Sequence, residues 1–198
     1  MWVVRDLNYG EVTAMKRALK SAALAALAAS VLAACSTYVT PRYSISADTN
    51  VALKSLGLSG VGVGAFSGPA TFDNACRGAG PLSPPDGLSH TDYIKRALED
   101  ELKVAGAHAA GTPRVTLTGT VNKLEFSSSR GLTGGSWTID LTLRLSNGAS
   151  MAANEYYEFH SGFIADTACK QTAEAYFPAV QNLIGKVVKS AEFAALVR

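Results

Sequence analysis

A positively tipped apolar run that ends at a cysteine divides this 198-residue chain into a part that serves targeting and a part that must fold. After Met15 come Lys16, Arg17 and Lys20. Ala22 to Leu32 then form an apolar stretch, and Ala33 and Ala34 supply the small residues a signal peptidase needs just before its cut, ahead of Cys35. The stretch from Ala18 to Ala34 is barely at the lower length limit for a spanning helix, and no second basic cluster follows closely as a stop-transfer flank. It reads as a cleaved leader. Residues 1–14 carry Asp6 and Glu11 where a purely basic tip belongs, so they read as a mis-assigned start or a disordered extension, with the leader proper at 15–34.

The tetrad Leu32-Ala33-Ala34-Cys35 resembles the lipobox of bacterial lipoproteins. In that family the cysteine thiol receives a diacylglyceryl group, the chain is cut before it, and the freed amine is acylated. The resemblance therefore implies cleavage between Ala34 and Cys35, three acyl chains on Cys35 and a periplasmic domain beyond it. One chain alone anchors only marginally, whereas several make attachment effectively permanent. Aspartate after the cysteine is that family's usual signal for retention at the inner membrane. Ser36 in its place implies export to the outer membrane.

Charge and cysteine content narrow the rest. The first 34 residues hold four of the 18 basic and two of the 16 acidic side chains, leaving fourteen of each and no formal net charge. No basic stripe points to nucleic acid, and no polybasic patch points to anionic lipid beyond the anchor. With Cys35 acylated, Cys76 and Cys169 remain in an oxidising compartment, where a disulfide is the natural pairing. A redox or metal pair would need close spacing or histidine neighbours that these two lack.

Along the chain, residues 35–55 read as a lipidated tether, polar and short in side chains, in which Tyr43 and Ile45 offer a first short strand. Leu58 to Phe66 alternates Val61, Val63 and Ala65 with Gly60, Gly62 and Gly64, a strand with one smooth face that a helix can approach closely. Ser67 to Gly87, rich in glycine and proline, reads as a long surface loop with Cys76 in its middle. Ser89 and Asp92 then form a capping box ahead of a helix whose inner stripe is Ile94, Ala97, Leu98, Glu101, Leu102 and Ala105.

The second half reads as a meander closed by a helix. Val115, Leu117, Gly119 and Val121 alternate until the phase slips at Asn122, where a bulge restores Leu124 and Phe126 to the same face. Trp137, Ile139, Leu141, Leu143 and Leu145 alternate against Thr138, Asp140, Thr142, Arg144 and Ser146, one face core and the other wet. Asn147-Gly148 announces a hairpin. A three-residue loop ending at Ala149 pairs Leu145 with Met151, Leu143 with Ala153, Ile139 with Tyr157 and Trp137 with Phe159. Asp166 is a fair N-cap for a last helix bearing Tyr176, Val180, Leu183, Ile184, Val187 and Val188, with Pro178 at its start or at a bend, and Phe193, Leu196 and Val197 suggest one more clamped turn.

The order of elements predicts an α+β fold over residues 56–198: a two-layer sandwich with an antiparallel sheet of about four strands and two helices packed on one face. From Val115 to Arg198, the serine- and glycine-rich hairpin tip, the Asn-Gly turn and the helix with a phenylalanine-containing tail are similar to the YajG-like lipoproteins and, more distantly, to auxiliary lipoproteins of envelope ABC transport systems. The resemblance implies no catalytic residue. The more distant one implies an envelope protein partner.

Catalysis is not expected, and neither a cofactor nor a metal is implied. His90, His108 and His160 each lack a second ligand at metal spacing, and Ser89, His90 and Asp92, neighbours at a helix start, do not converge as a triad must. Glu99, Asp100 and Glu101, flanked by Lys95 and Lys103, read as a largely solvated stretch, and Glu155, Tyr156, Tyr157 and Glu158 as part of a polar strand face. Two functions fit. In the first, a non-enzymatic accessory component docks another envelope protein on its sheet edge or outer face; in the second, the helices part from the sheet to hold a lipid or another small hydrophobic ligand. The polar partners Thr138, Asp140, Thr142 and Arg144 favour the first.

Overall fold

Residues 36–69 and 71–197 are described by a computed structural model. In chain order the elements are β1 (Tyr38–Val39), α1 (Ala47–Ser55), β2 (Val61–Ser67), β3 (Ala75–Cys76), β4 (Gly80–Ser83), a 3-10 turn (Pro85–Gly87), α2 (His90–Val104), β5 (Val115–Arg130), β6 (Gly134–Leu145), β7 (Ser150–His160), α3 (Ala165–Lys189) and α4 (Ala191–Leu196). Alternation in β6 sets the two layers: Trp137, Ile139, Leu141, Leu143 and Leu145 are buried, while Thr138, Asp140 and Thr142 are half-buried and Arg144 is exposed. The slip foreseen at Asn122 is present as a register shift between Val121 and Lys123, and it keeps Leu124 on the buried face.

The fold is α+β, with more parts than the sequence suggested. The main sheet has the order β2-β5-β6-β7, and a second, three-stranded sheet has the order β1-β4-β3. The main sheet is mixed, because β2 runs parallel to β5. A parallel pair needs a crossover connection, and the segment from β3 through α2 supplies it. Four helices stand among the described residues where two were expected. The smooth face of β2 meets side chains, not a helix: a Cβ at Gly62 would lie 2.8 Å from Cβ of Pro113, and one at Gly64 would touch Thr116 and Thr118.

The expected tether is part of the body. Residues from Thr37 onward form one compact unit, with Tyr38, Thr40, Thr49, Asn50 and Leu53 buried. The first strand lies at Tyr38–Val39 and not at Tyr43 and Ile45, and α1 starts at a Ser46 cap whose side chain accepts from the Thr49 amide. Short polar side chains mimic a linker here, but Tyr38 and Leu53 anchor the segment by burial. The 67–87 loop is likewise structured. Backbone bonds pair β3 with β4, and Cys76 of β3 is joined to Cys169 of α3 with a Cα–Cα distance of 5.8 Å.

Register in the last hairpin departs from expectation in an instructive way. Leu143 pairs with Met151, Leu141 with Ala153, Ile139 with Glu155 and Trp137 with Tyr157. The loop does have three residues, Ser146 to Gly148, closed by the Leu145 amide donating to the Ala149 carbonyl at 2.9 Å. It sits one residue earlier than read, because Gly148, at φ +90°, occupies the left-handed position that ends such a loop. A loop moved by one residue shifts the pairing by two and leaves every side chain on its face. Asp166 does not cap α3: the cap position is Ile164, and Asp166 lies in the first turn, accepting from the Tyr38 hydroxyl at 2.9 Å. Pro178 lies inside α3, which continues through it. The final turn is clamped as expected, with Phe193 and Val197 fully buried.

The Cys76–Cys169 bond closes a separation of 93 residues and fastens the least regular segment to the longest helix. Converting both cysteines to serine is expected to lower unfolding free energy by about 4.6 kcal/mol in the chain-entropy description. Urea unfolding monitored by circular dichroism checks this, and an unchanged midpoint contradicts it.

Candidate functional site

Of the residues singled out in the sequence, Ala34 and Cys35 lie outside the described ones. Ser89 and Asp92 serve the helix start: Ser89 Oγ accepts from the Asp92 amide at 3.0 Å and donates to Asp92 Oδ2 at 2.6 Å. His90, between them, turns inward and converges with neither.

His90 belongs to an aromatic cluster between the layers. Its ring centroid lies 4.8 Å from that of Phe72, 5.0 Å from Tyr176 and 6.0 Å from Trp137. Trp137 and Tyr176 approach to 4.5 Å, and both find polar partners, Trp137 Nε1 donating to the Thr172 carbonyl and the Tyr176 hydroxyl to the His90 carbonyl, each at 2.9 Å. Burial pushes the His90 imidazole down to about 4, and its Nε2 has no hydrogen-bond partner. Burial also pushes the Tyr93 and Tyr176 hydroxyls up. These rings fill the space between sheet and helices.

Two carboxylates are buried: Glu101, read on the inner stripe of its helix but also within a largely solvated stretch, and Glu155, read on a polar strand face. Glu101 of α2 accepts from the Tyr43 hydroxyl at 2.9 Å and the Ser46 amide at 2.7 Å, which ties the N-terminal segment to the helix. Burial raises its pKa, against the two hydrogen bonds that lower it. Its neighbours behave as expected of a solvated stretch, Glu99 pairing with Lys103 at 2.6 Å and Asp100 with Arg96 at 3.9 Å. Glu155 faces the helices because the observed register sets it opposite Ile139, and Lys186 Nζ lies 2.6 Å from its Oε2. Asn182 Nδ2 donates to its other oxygen at 3.3 Å. The signal for both was available: Glu101 sits in an apolar stripe, and Glu155 shares parity with Met151 and Ala153.

The arrangement most open to a partner is the far side of the sheet and its β7 edge. In β7 the odd residues pair with β6, since Leu145 bonds Ala149, so the even residues Ala152, Asn154, Tyr156 and Glu158 turn N–H and C=O outward. The same four residues are exposed on the outer face, where Asp140, Thr142 and Arg144 continue the polar surface across β6. Lys186 Nζ takes one outward carbonyl, that of Asn154, at 3.1 Å. An open groove of about 480 Å³ runs along the edge between Ala152, Asn154, Lys186 and Glu192. The opposite edge is partly closed, as Val61 of β2 exchanges backbone bonds with Ala107 and Ala109. Near the outer end of β7, Arg130 pairs with Glu158 and lies over the Tyr156 ring, 5.4 Å from its centroid.

Among the described residues no group of three or more His, Cys, Asp or Glu side chains is placed to hold a metal ion, and no helix is long and apolar enough to cross a membrane. No family model matches the chain, and no curated protein does. Three solved structures show the extent of likeness. A Xanthomonas campestris protein of the family DUF330 is 13% identical over 77% of this chain and 95% of its own, with a TM-score of 0.47. A Caulobacter crescentus protein named a "putative lipoprotein" is 13% identical over 75% of this chain and 94% of its own, at 0.44. The PelC dodecamer of Paraburkholderia phytofirmans is 18% identical over 71% and 91%, at 0.35.

His90 offers a pH test of the packed interior. An unfolded histidine takes its proton near 6.5 and this buried one only near 4, so its contribution is complete above 6.5 and is lost as pH falls towards 4. The loss amounts to about 3 kcal/mol at 1.36 kcal/mol per pH unit. His90→Leu should remove that share of the acid destabilisation, seen as a flatter dependence of the urea midpoint on pH between 6.5 and 4 than in the wild type. Identical slopes contradict the assignment.

Proposed function

We propose that this chain is an outer-membrane lipoprotein anchored through Cys35, whose periplasmic domain acts without catalysis as an accessory component of a cell-envelope complex. The observation that carries the reading is the β7 edge, which presents the outward backbone groups of Ala152, Asn154, Tyr156 and Glu158 beside a polar sheet face. A strand of another envelope protein can add there by main-chain bonds, with side chains of the outer face setting specificity. Lys186 guards the centre of that edge, a common device against indiscriminate pairing.

The alternative, carriage of a lipid between helices and sheet, is disfavoured by what occupies that space. Phe72, His90, Trp137 and Tyr176 would all have to leave their ring contacts for an acyl chain to enter. The groups an enzyme could use are engaged structurally: Glu101 by Tyr43 and Ser46, Glu155 by Lys186, and Ser89 and Asp92 by the helix cap.

Ala152→Pro tests the docking reading, since proline removes only an outward N–H at an edge position and leaves the bonds to β6 intact. Affinity capture of the lipidated protein from detergent-solubilised envelopes should recover a stoichiometric partner with the wild type and lose it with the variant, at an unchanged melting temperature. Recovery of the wild-type protein alone, or equal recovery with both, contradicts it.

A further inference from the structure

One end of the body carries three large apolar side chains in solvent: Leu132 is 76% exposed, Phe163 77% and Ile164 69%. They share that end because Leu132 is at the tip between β5 and β6, and the Ser161 amide just before Phe163 donates to the Thr133 carbonyl at 2.8 Å. The turn that presents them is firmly held. Arg77 donates to the Phe163 carbonyl at 2.9 Å and to Ser128 Oγ at 3.0 Å, Ser161 Oγ donates to the Ser128 carbonyl at 2.6 Å, and the Gly162 amide donates to Gln171 Oε1 at 2.6 Å. Backbone so fully bonded keeps Phe163 and Ile164 pointed outward. Exposed apolar groups fixed this way mark a contact surface.

What meets them follows from where the body begins. The Tyr38 hydroxyl bonds Asp166 in the first turn of α3, so the chain enters the fold beside Phe163 and Ile164. Only Ser36 and Thr37 separate Cys35 from Tyr38, and three fully extended Cα-to-Cα steps span at most about 10 Å. With residues 37–55 folded into the body, no longer tether exists to hold this end away from an acylated cysteine. We infer that Leu132, Phe163 and Ile164 form a second membrane contact, seated in the interfacial region of the leaflet that holds the Cys35 acyl chains. The inference rests on the Cys35 anchor of the proposed function. Apolar groups at such a surface enter to a depth of about 5–10 Å, which the short lead allows. Two contacts, the Cys35 anchor and this seat, would hold the domain on the bilayer by one end.

The test uses the full chain, matured in cells and placed in phosphatidylethanolamine–phosphatidylglycerol vesicles whose acyl chains are brominated. Phe163→Trp reports from the proposed seat and Val104→Trp from the opposite end, beside the Ala107–Val61 contact at the start of β2, both against the constant background of buried Trp137. Phe163→Trp should emit at shorter wavelength and lose intensity to the brominated chains, while Val104→Trp does neither. Equal emission of Phe163→Trp in brominated and ordinary vesicles, with acylated Cys35 confirmed by mass, overturns the seat and leaves the anchor standing. A blue shift without quenching also overturns it, and assigns the patch to a second copy or another protein. A bare Cys35, with no variant floating with vesicles, overturns the anchor and the seat together.

Discussion

The packing of Trp137 against Tyr176 is the contact on which the rest of this structure depends. It joins β6, one of the two inner strands of the main sheet, to the longest helix, and each ring also spends its polar atom on a buried carbonyl. Around it stand Phe72 from the segment before β3, His90 and Tyr93 from α2 and Phe126 from β5, so three separate stretches of chain converge on one pair of rings. Aromatic pairs at these separations contribute beyond their buried area. The disulfide then fastens β3, which buries little else, to the same helix.

What could be read from the sequence was whatever a local period or cap dictates. The alternation from Trp137 to Leu145, the bulge at Asn122, the Ser89–Asp92 box and the pairing of Cys76 with Cys169 each rest on neighbours in sequence or on a count of cysteines, and each is present. The errors fall where tertiary contact decides. Residues 37–55 have a linker's composition, and it is partners far along the chain that hold them, among them Glu101 for Tyr43, Asp166 for Tyr38 and Tyr93 for the Pro41 carbonyl. The parallel pairing of β2 with β5 is set by the path of the chain between them, and the hairpin register by which residue takes the left-handed turn position.

The candidate site was legible in part. The polar face of β6 was plain from its alternation, whereas the free edge of β7 depends on strand order and on which residues turn their amides outward, neither of which a single sequence states. The same holds for Glu155. Its burial follows from register and from Lys186, thirty-one positions later, arriving over it. The correction to the tether bears most on the proposed function, because residues 37–55 belong to the folded body and leave no long leash between the body and the proposed anchor.

Everything proposed about compartment, partner and orientation passes through Cys35. Intact-mass measurement of the protein purified from envelopes tests it most directly. The account predicts a chain beginning at Cys35 and heavier than the bare polypeptide by a diacylglyceryl group and one further acyl chain. A chain that retains Ala34 and the residues before it, with an unmodified thiol at Cys35, would contradict it.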